Sequence, residues 1–246
     1  MGGEARQEEQ AADTLADTQW LQGVWLDDNT ESPVFKIKGD SIYYASQINA
    51  PLKYDLKNDT LTIYGVETVH YPLERCQEQA LQFRTPVGDM VSLHKSDNDS
   101  AFVALSVTGP EKKEVISKDL AVMYQGKRYR GYVYINPTSI KVVRPSLTEE
   151  GLTMDNVYYD NVIHICVYQG KQRLYAKDIT RQMFSSVVPD DYLKMSILSD
   201  MDFIGVDAEG YHYLATLCIP DGASCYNVEF TIDRDDQLSF SSADVE

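Results

Sequence analysis

The sequence predicts a mainly β chain, α+β overall: an N-terminal antiparallel β meander or small lipocalin-like barrel, then an α+β module with an antiparallel sheet and one or two short helices. Three observations predict it. Short apolar runs recur from Trp20 onward, several with period-two alternation. The breaks between them carry Gly39-Asp40, Asn58-Asp59 and Gly88-Asp89, residue pairs suited to hairpin turns. The aromatic complement is 17 Tyr against 7 Phe and 2 Trp, which suits half-exposed strands whose rings pack inward while their hydroxyls stay wet.

Taken in order, the expected strands of the first module are Val24 to Leu26, Val34 to Ile37, Ser41 to Tyr44, Leu52 to Leu56, Thr60 to Tyr64, Val69 to Leu73, Leu81 to Arg84 and Met90 to His94. A meander of that many strands closes into a small barrel or curls as one sheet. Phe102 to Val107 is a further apolar run. Gly109-Pro110 and the charged run Glu111 to Glu114 then mark a junction near residue 110. The expected organisation is a flexible leader over 1–18, a meander over 19–110 and an α+β module over 111–246. The leader is rich in Glu, Gln, Ala and Asp without apolar periodicity.

Gly23-Val24-Trp25 resembles the Gly-x-Trp opening of lipocalin-like barrels, in which the indole closes one barrel end. The resemblance implies a barrel. Gly also permits close backbone approach and Trp supplies an apolar plug, so the pair has a purely structural reading as well.

Beyond the junction, strands are expected at Ala121 to Tyr124, Tyr132 to Ile135, Ile140 to Val143, Val162 to Tyr168 and Arg173 to Lys177, with Gln169-Gly170-Lys171 as a hairpin turn. Helical material falls at 179–199: Thr180 is placed to cap Arg181 to Ser185, and Asp190 to Leu198 has an acidic first turn and helical apolar spacing. Strands return at Met201 to Val206, Tyr211 to Ile219, Tyr226 to Ile232 and Leu238 to Phe240.

Ile163 to Tyr168, Val188 to Leu193 and Ile197 to Phe203, with Gly39 to Tyr44 and Asn58 to Ile63 in the first half, resemble uncharacterised exported lipoproteins of gut Bacteroidetes. The resemblance implies an exported protein, periplasmic or anchored at the outer-membrane surface, with residues 1–18 as spacer from a lipidated cysteine. The opening Met1-Gly2-Gly3-Glu4 has no cationic-then-apolar segment, and Arg6 stands where a myristoylation motif needs Ser or Thr. A polar leader ahead of the fold is expected of an exported protein that has lost its targeting segment.

Composition narrows function further. With 22 basic and 38 acidic residues, the formal charge of −16 opposes attraction to nucleic acid or an anionic membrane. The apolar runs fall far short of the roughly 20 residues of a membrane helix, so contact with a membrane is expected only through a lipid anchor. Of the four cysteines, Cys218 and Cys225 flank a turn over Pro220 to Ala223 that sets them across from one another. Either a cross-strand disulfide or two half-buried thiols fits that placement. Cys76 and Cys166 read as core thiols.

Catalytic chemistry finds little support. His70, His94, His164 and His212 lie far apart and outside zinc-binding spacings, and His164 and His212 sit in expected strands as structural histidines. There is no GxSxG elbow and no glycine loop before Lys-Ser or Lys-Thr. Asp200-Met201-Asp202 and Asp233 to Asp236 could serve glycoside or calcium chemistry, but they lack a full ligand set and read as turn residues. Asn58-Asp59-Thr60 and Asn98-Asp99-Ser100 match glycosylation sequons, meaningful only in a eukaryotic secretory host.

The densest basic and aromatic patch is Lys127, Arg128, Tyr129, Arg130 and Tyr132, flanked by Tyr124 and Tyr134. Such interleaving suits an anionic polymer or a sugar, and equally a solvated hairpin. The expectation is a non-enzymatic exported binding protein without cofactor, whose partner is another protein, a glycan or a small ligand. The alternatives are a lipocalin-like carrier and an enzyme without a recognisable motif.

Overall fold

A computed structural model describes residues 18–45, 50–98, 102 and 114–245, with side chains as far as residue 240. The chain divides into two compact units: Met1–Thr108 with Val143–Val157, and Gly109–Val142 with Tyr158–Glu246. Residues 143–157 thus return to the first unit, which a single boundary near residue 110 does not allow for. The leader over 1–17, most of the Phe102 to Val107 run and the Gly109-Pro110 step lie outside the described residues.

The first unit is a closed antiparallel barrel, the closed one of the two forms expected of the meander. Its strands are β1 (Gly23–Asp27), β2 (Pro33–Lys38), β3 (Ser41–Tyr44), β4 (Leu52–Lys57), β5 (Thr60–Tyr64), β6 (Thr68–Gln77), β7 (Ala80–Arg84) and β8 (Met90–Lys95). Each pairs with the next, and β8 closes on β1 through Trp25 opposite Lys95 and Leu26 opposite His94. The β4–β5 turn works because Asn58 and Asp59 both hold positive φ, 49° and 53°, giving a turn whose twist matches its strands. Trp25 is fully buried, its Nε1 donates to Leu21 O at 2.8 Å, and the Lys95 ammonium stands 5.2 Å from its ring centre.

Alternate residues of all eight strands meet in one contiguous apolar cluster that includes Phe35, Ile63, Tyr71, Phe83 and Leu93. An eight-stranded barrel is just wide enough for side chains to fill. Residues 151–155 complete the filling. Leu152 is fully buried in the same cluster and Met154 packs against it. The Tyr44 hydroxyl donates to Thr153 O at 2.7 Å, and Thr153 N donates to the Tyr71 hydroxyl at 2.7 Å. Val66 N donates to Asp155 Oδ2 at 2.8 Å, and burial raises the Asp155 carboxyl above its ordinary range.

The second unit is built on two four-stranded antiparallel sheets around one core, apart from the stretch of the first sheet that falls in residues 143–157. The first comprises β9 (Ile116–Tyr124), β10 (Lys127–Leu147), β11 (Thr153–Gln169) and β12 (Gln172–Ile179), in the order β12-β11-β10-β9. The second comprises β13 (Ile197–Val206), β14 (Tyr211–Cys218), β15 (Cys225–Ile232) and β16 (Leu238–Val245), in sequence order. Ile165, Phe184, Phe203, Tyr213 and Phe230 belong to that core.

Several expectations need correction. Tyr132 to Ile135 and Ile140 to Val143 are one strand of 21 residues, and β11 begins nine residues before Val162. A helix does form at Asp190–Met195, but Ile197 and Leu198 open β13 instead of extending it, because β14 supplies their backbone partners at Cys218 and Leu217. Thr180 precedes a 3-10 turn at Arg181–Phe184 without making a side-chain cap.

The helical insert is tied down by a buried pair instead. Arg181 Nη1 donates to Leu193 O at 2.6 Å and to Ser196 O, and its Nε lies 3.1 Å from Asp160 Oδ2 without pointing at it. Asp160 Oδ1 accepts from Leu198 N at 2.8 Å. Both side chains are under 10% exposed, at 7% and 4%.

Candidate functional site

The site begins with the pleat of β10. Gly131, Val133 and Ile135 are buried on the core side, so Arg128, Arg130, Tyr132 and Tyr134 occupy the opposite face. On β11, Ile163, Ile165 and Val167 likewise point to the core, leaving His164, Cys166 and Tyr168 on that outer face. Cross-strand pairing adds Asp119 opposite Tyr132 and Asp178 opposite His164.

The rings make one row. Tyr132 and Tyr134 stand parallel with centres 6.2 Å apart, and Tyr168 meets Tyr132 edge-on at 5.7 Å and 84°. Tyr134 and His164 are 6.2 Å apart. The Arg130 guanidinium lies 5.2 Å from the Tyr132 ring centre while its Nε donates to Asp119 Oδ2 at 2.6 Å. Tyr132 is therefore flanked along its strand by Arg130 and Tyr134, and offers its edge and hydroxyl outward. Desolvation raises the Tyr134 phenol above its usual range, and burial does the same to the Cys166 thiol, so both stay neutral at ordinary pH.

Beside this row lies a groove of about 500 Å³ lined by Arg128, Arg130, Tyr132, Tyr168, Gly170 and Lys171. That volume falls in the roughly 300–1,000 Å³ range of ligand sites. Arg128 and Lys171 have no ion-pair partner among the described residues, and the Tyr132 and Tyr168 hydroxyls have no hydrogen-bond partner there. The groove thus presents donors at its edge and aromatic carbon along its wall.

The expected patch of Lys127, Arg128, Tyr129, Arg130 and Tyr132 is divided by the pleat. Arg128, Arg130 and Tyr132 share the groove, whereas Tyr129 packs against the core on the other side and Lys127, two residues before it, is on that same side. Sequence reading missed Tyr168 and Lys171, which lie more than 30 residues away. The alternation in Ile163 to Tyr168 was the signal that placed Tyr168 on this face.

Other candidates resolve into structural pairs. Lys118 Nζ lies 2.6 Å from the Asp200 carboxylate and 3.0 Å from Asp202 Oδ1, so one cation is shared by both acids. Asp233 Oδ1 accepts from Asp235 N and Gln237 N and so holds its own turn. His212 Nδ1 is 2.9 Å from Thr231 Oγ1, its direct cross-strand neighbour, and His164 Nδ1 is 2.7 Å from Asp178 Oδ1. Cys218 and Cys225 lie opposite each other and are joined by a disulfide. Among the described residues no cluster of three His, Cys, Asp or Glu side chains could hold a metal ion, and no helix is long and apolar enough to cross a membrane.

The sequence model of a protein family described as "Domain of unknown function (DUF4738)" matches residues 95–240, more than half the chain and every residue of the aromatic face. No curated protein matches the chain.

Proposed function

The chain belongs to the DUF4738 family, and from that premise we propose that it is a non-enzymatic, exported binding protein whose second unit holds a glycan on the outer face of its first sheet. The observation that carries the reading is the groove of about 500 Å³ beside Tyr132 and Tyr168, with Arg128 and Lys171 at its edge. Sugars present hydroxyls to such donors and C–H surface to aromatic carbon. The Cys218–Cys225 disulfide supports export, because disulfides persist in oxidising compartments. We place the protein in the periplasm or at the outer-membrane surface, with a lipid anchor as its tie to the membrane.

A glycan array probed with the purified chain, repeated with Tyr132→Ala and Tyr168→Ala, tests the binding role. Retention lost in both variants supports it; no retained glycan, or retention indifferent to both changes, rejects it. Osmotic-shock fractionation of the native cells tests export, and recovery in the cytosol rejects it. Small-ligand carriage inside the barrel is less well supported, since Leu152 and the strand side chains share one contiguous core there.

A further inference from the structure

We infer that the ligand of this face is an acidic carbohydrate chain, with the carboxylate of a uronic-acid residue held between Arg128 and Lys171. The inference rests on the binding role proposed above and narrows it to one chemical class.

Charge is the first argument. The chain carries 38 acidic and 22 basic residues, yet this groove is lined by three cations and no carboxylate. Arg130 is already committed to Asp119, at 2.6 Å. Arg128 and Lys171 are engaged by no acid among the described residues, so their charge is available to a ligand. An Arg guanidinium offers paired N–H donors in the plane that matches a carboxylate, and a Lys ammonium adds a point charge beside it.

The second argument is the polarity of the wall. With Tyr132 flanked by Arg130 and Tyr134, the groove meets that ring at its edge and hydroxyl, and Tyr168 crosses it at 84°. Guanidinium, ammonium and phenol hydroxyls are all donors, and a ligand rich in acceptors complements them. A uronic-acid chain supplies a carboxylate and ring oxygens at every residue. Nucleic acid fits less well: it needs a run of cations along its phosphates, whereas the two unengaged cations of this groove match a single carboxylate.

The test is titration calorimetry on the full chain with tetrasaccharides of glucuronic and galacturonic acid, each paired with the neutral glucose or galactose chain of the same linkage. At least one acidic member is expected to bind about tenfold more tightly than its neutral counterpart, and the difference to shrink in about 0.5 M salt. The double variant Arg128→Gln, Lys171→Gln should erase that difference while leaving the melting temperature unchanged. Tyr132→Ala should weaken both classes. Equal binding of acidic and neutral chains, or an acidic preference that survives the double variant, overturns the inference and leaves the glycan-binding face standing if Tyr132→Ala still weakens binding. No binding by any of the four overturns it as well, and the array then decides separately whether the face binds glycans.

Discussion

The ring of Phe203 lies so close to the backbone of Gly131 that a Cβ built on residue 131 would come within 2.2 Å of its Cγ. Phe203 is 5% exposed and has little room to retreat. Gly131→Ala is therefore expected to destabilise the second unit by roughly 1–3 kcal/mol through overpacking. Urea denaturation checks this, and Phe203→Leu combined with Gly131→Ala should recover part of the loss if the clash is the cause. Simple additivity of the two changes would place the cause elsewhere.

The Asp160–Arg181 pair joins the helical insert to β11 and to the start of β13. Removing one member leaves a buried charge without its partner, so Arg181→Met should cost about 3–5 kcal/mol. Changing both, to Asn and Met, should cost less than that single substitution. Thermal melts of the three variants measure the difference; equal losses for Arg181→Met and the double change would mean the charge itself is unimportant.

Reducing the Cys218–Cys225 bond should lower stability by roughly 2–3 kcal/mol, the loop-closure effect for so short a separation, seven residues. The Tyr192 hydroxyl lies 2.8 Å from Ser224 O and 3.1 Å from Leu217 O, so the loss should reach the helix. Hydrogen exchange around residues 190–195 with and without reductant reads this directly. Unchanged exchange would show that the hairpin keeps its form without the bond.

His94 has its pKa raised above 6.5, first by its hydrogen bond to Asp28, 2.8 Å away, and then by the Glu31 charge. A folded-state pKa above the unfolded one stabilises fully below the unfolded value, and the gain is lost as pH rises through the folded value. The barrel should therefore weaken slightly as pH climbs from about 6 upward. His94 and Asp28 side chains are 35% and 43% exposed, which holds the effect under about 1 kcal/mol. Melting curves across that range should slope less for His94→Gln than for the parent chain. Parallel slopes would remove His94 from the account.

The barrel was legible because each strand is short, half-buried and bounded by its own turn, so the pattern of Leu52 to Leu56 or Thr60 to Tyr64 speaks for itself. The long β10 was not. Asn136-Pro137-Thr138-Ser139 reads as a break, yet β10 runs through it, and Thr138 Oγ1 donates to Asp160 O at 2.7 Å. The end of the helix was misplaced for a related reason: Ile197 and Leu198 have helical spacing from Leu193, and only β14 decides that they pair as strand. The groove was half legible. Arg128, Arg130 and Tyr132 are local in sequence, but Tyr168 and Lys171 join them through the pairing of β10 with β11, which composition cannot reveal.

The contacts of Thr153 with Tyr44 and Tyr71, across 109 and 82 residues of chain, bear on the order in which the protein is made. All eight barrel strands leave the ribosome before Thr153 exists. Until then the Tyr44 hydroxyl lacks its acceptor, the Tyr71 hydroxyl lacks its donor, and the space of Leu152 is open to water. A nascent chain stalled before residue 143 should therefore hold a looser barrel than the finished one, and a fragment cut at residue 110 should inherit that looseness permanently. The packing of the barrel is completed by residues encoded some fifty positions after its final strand.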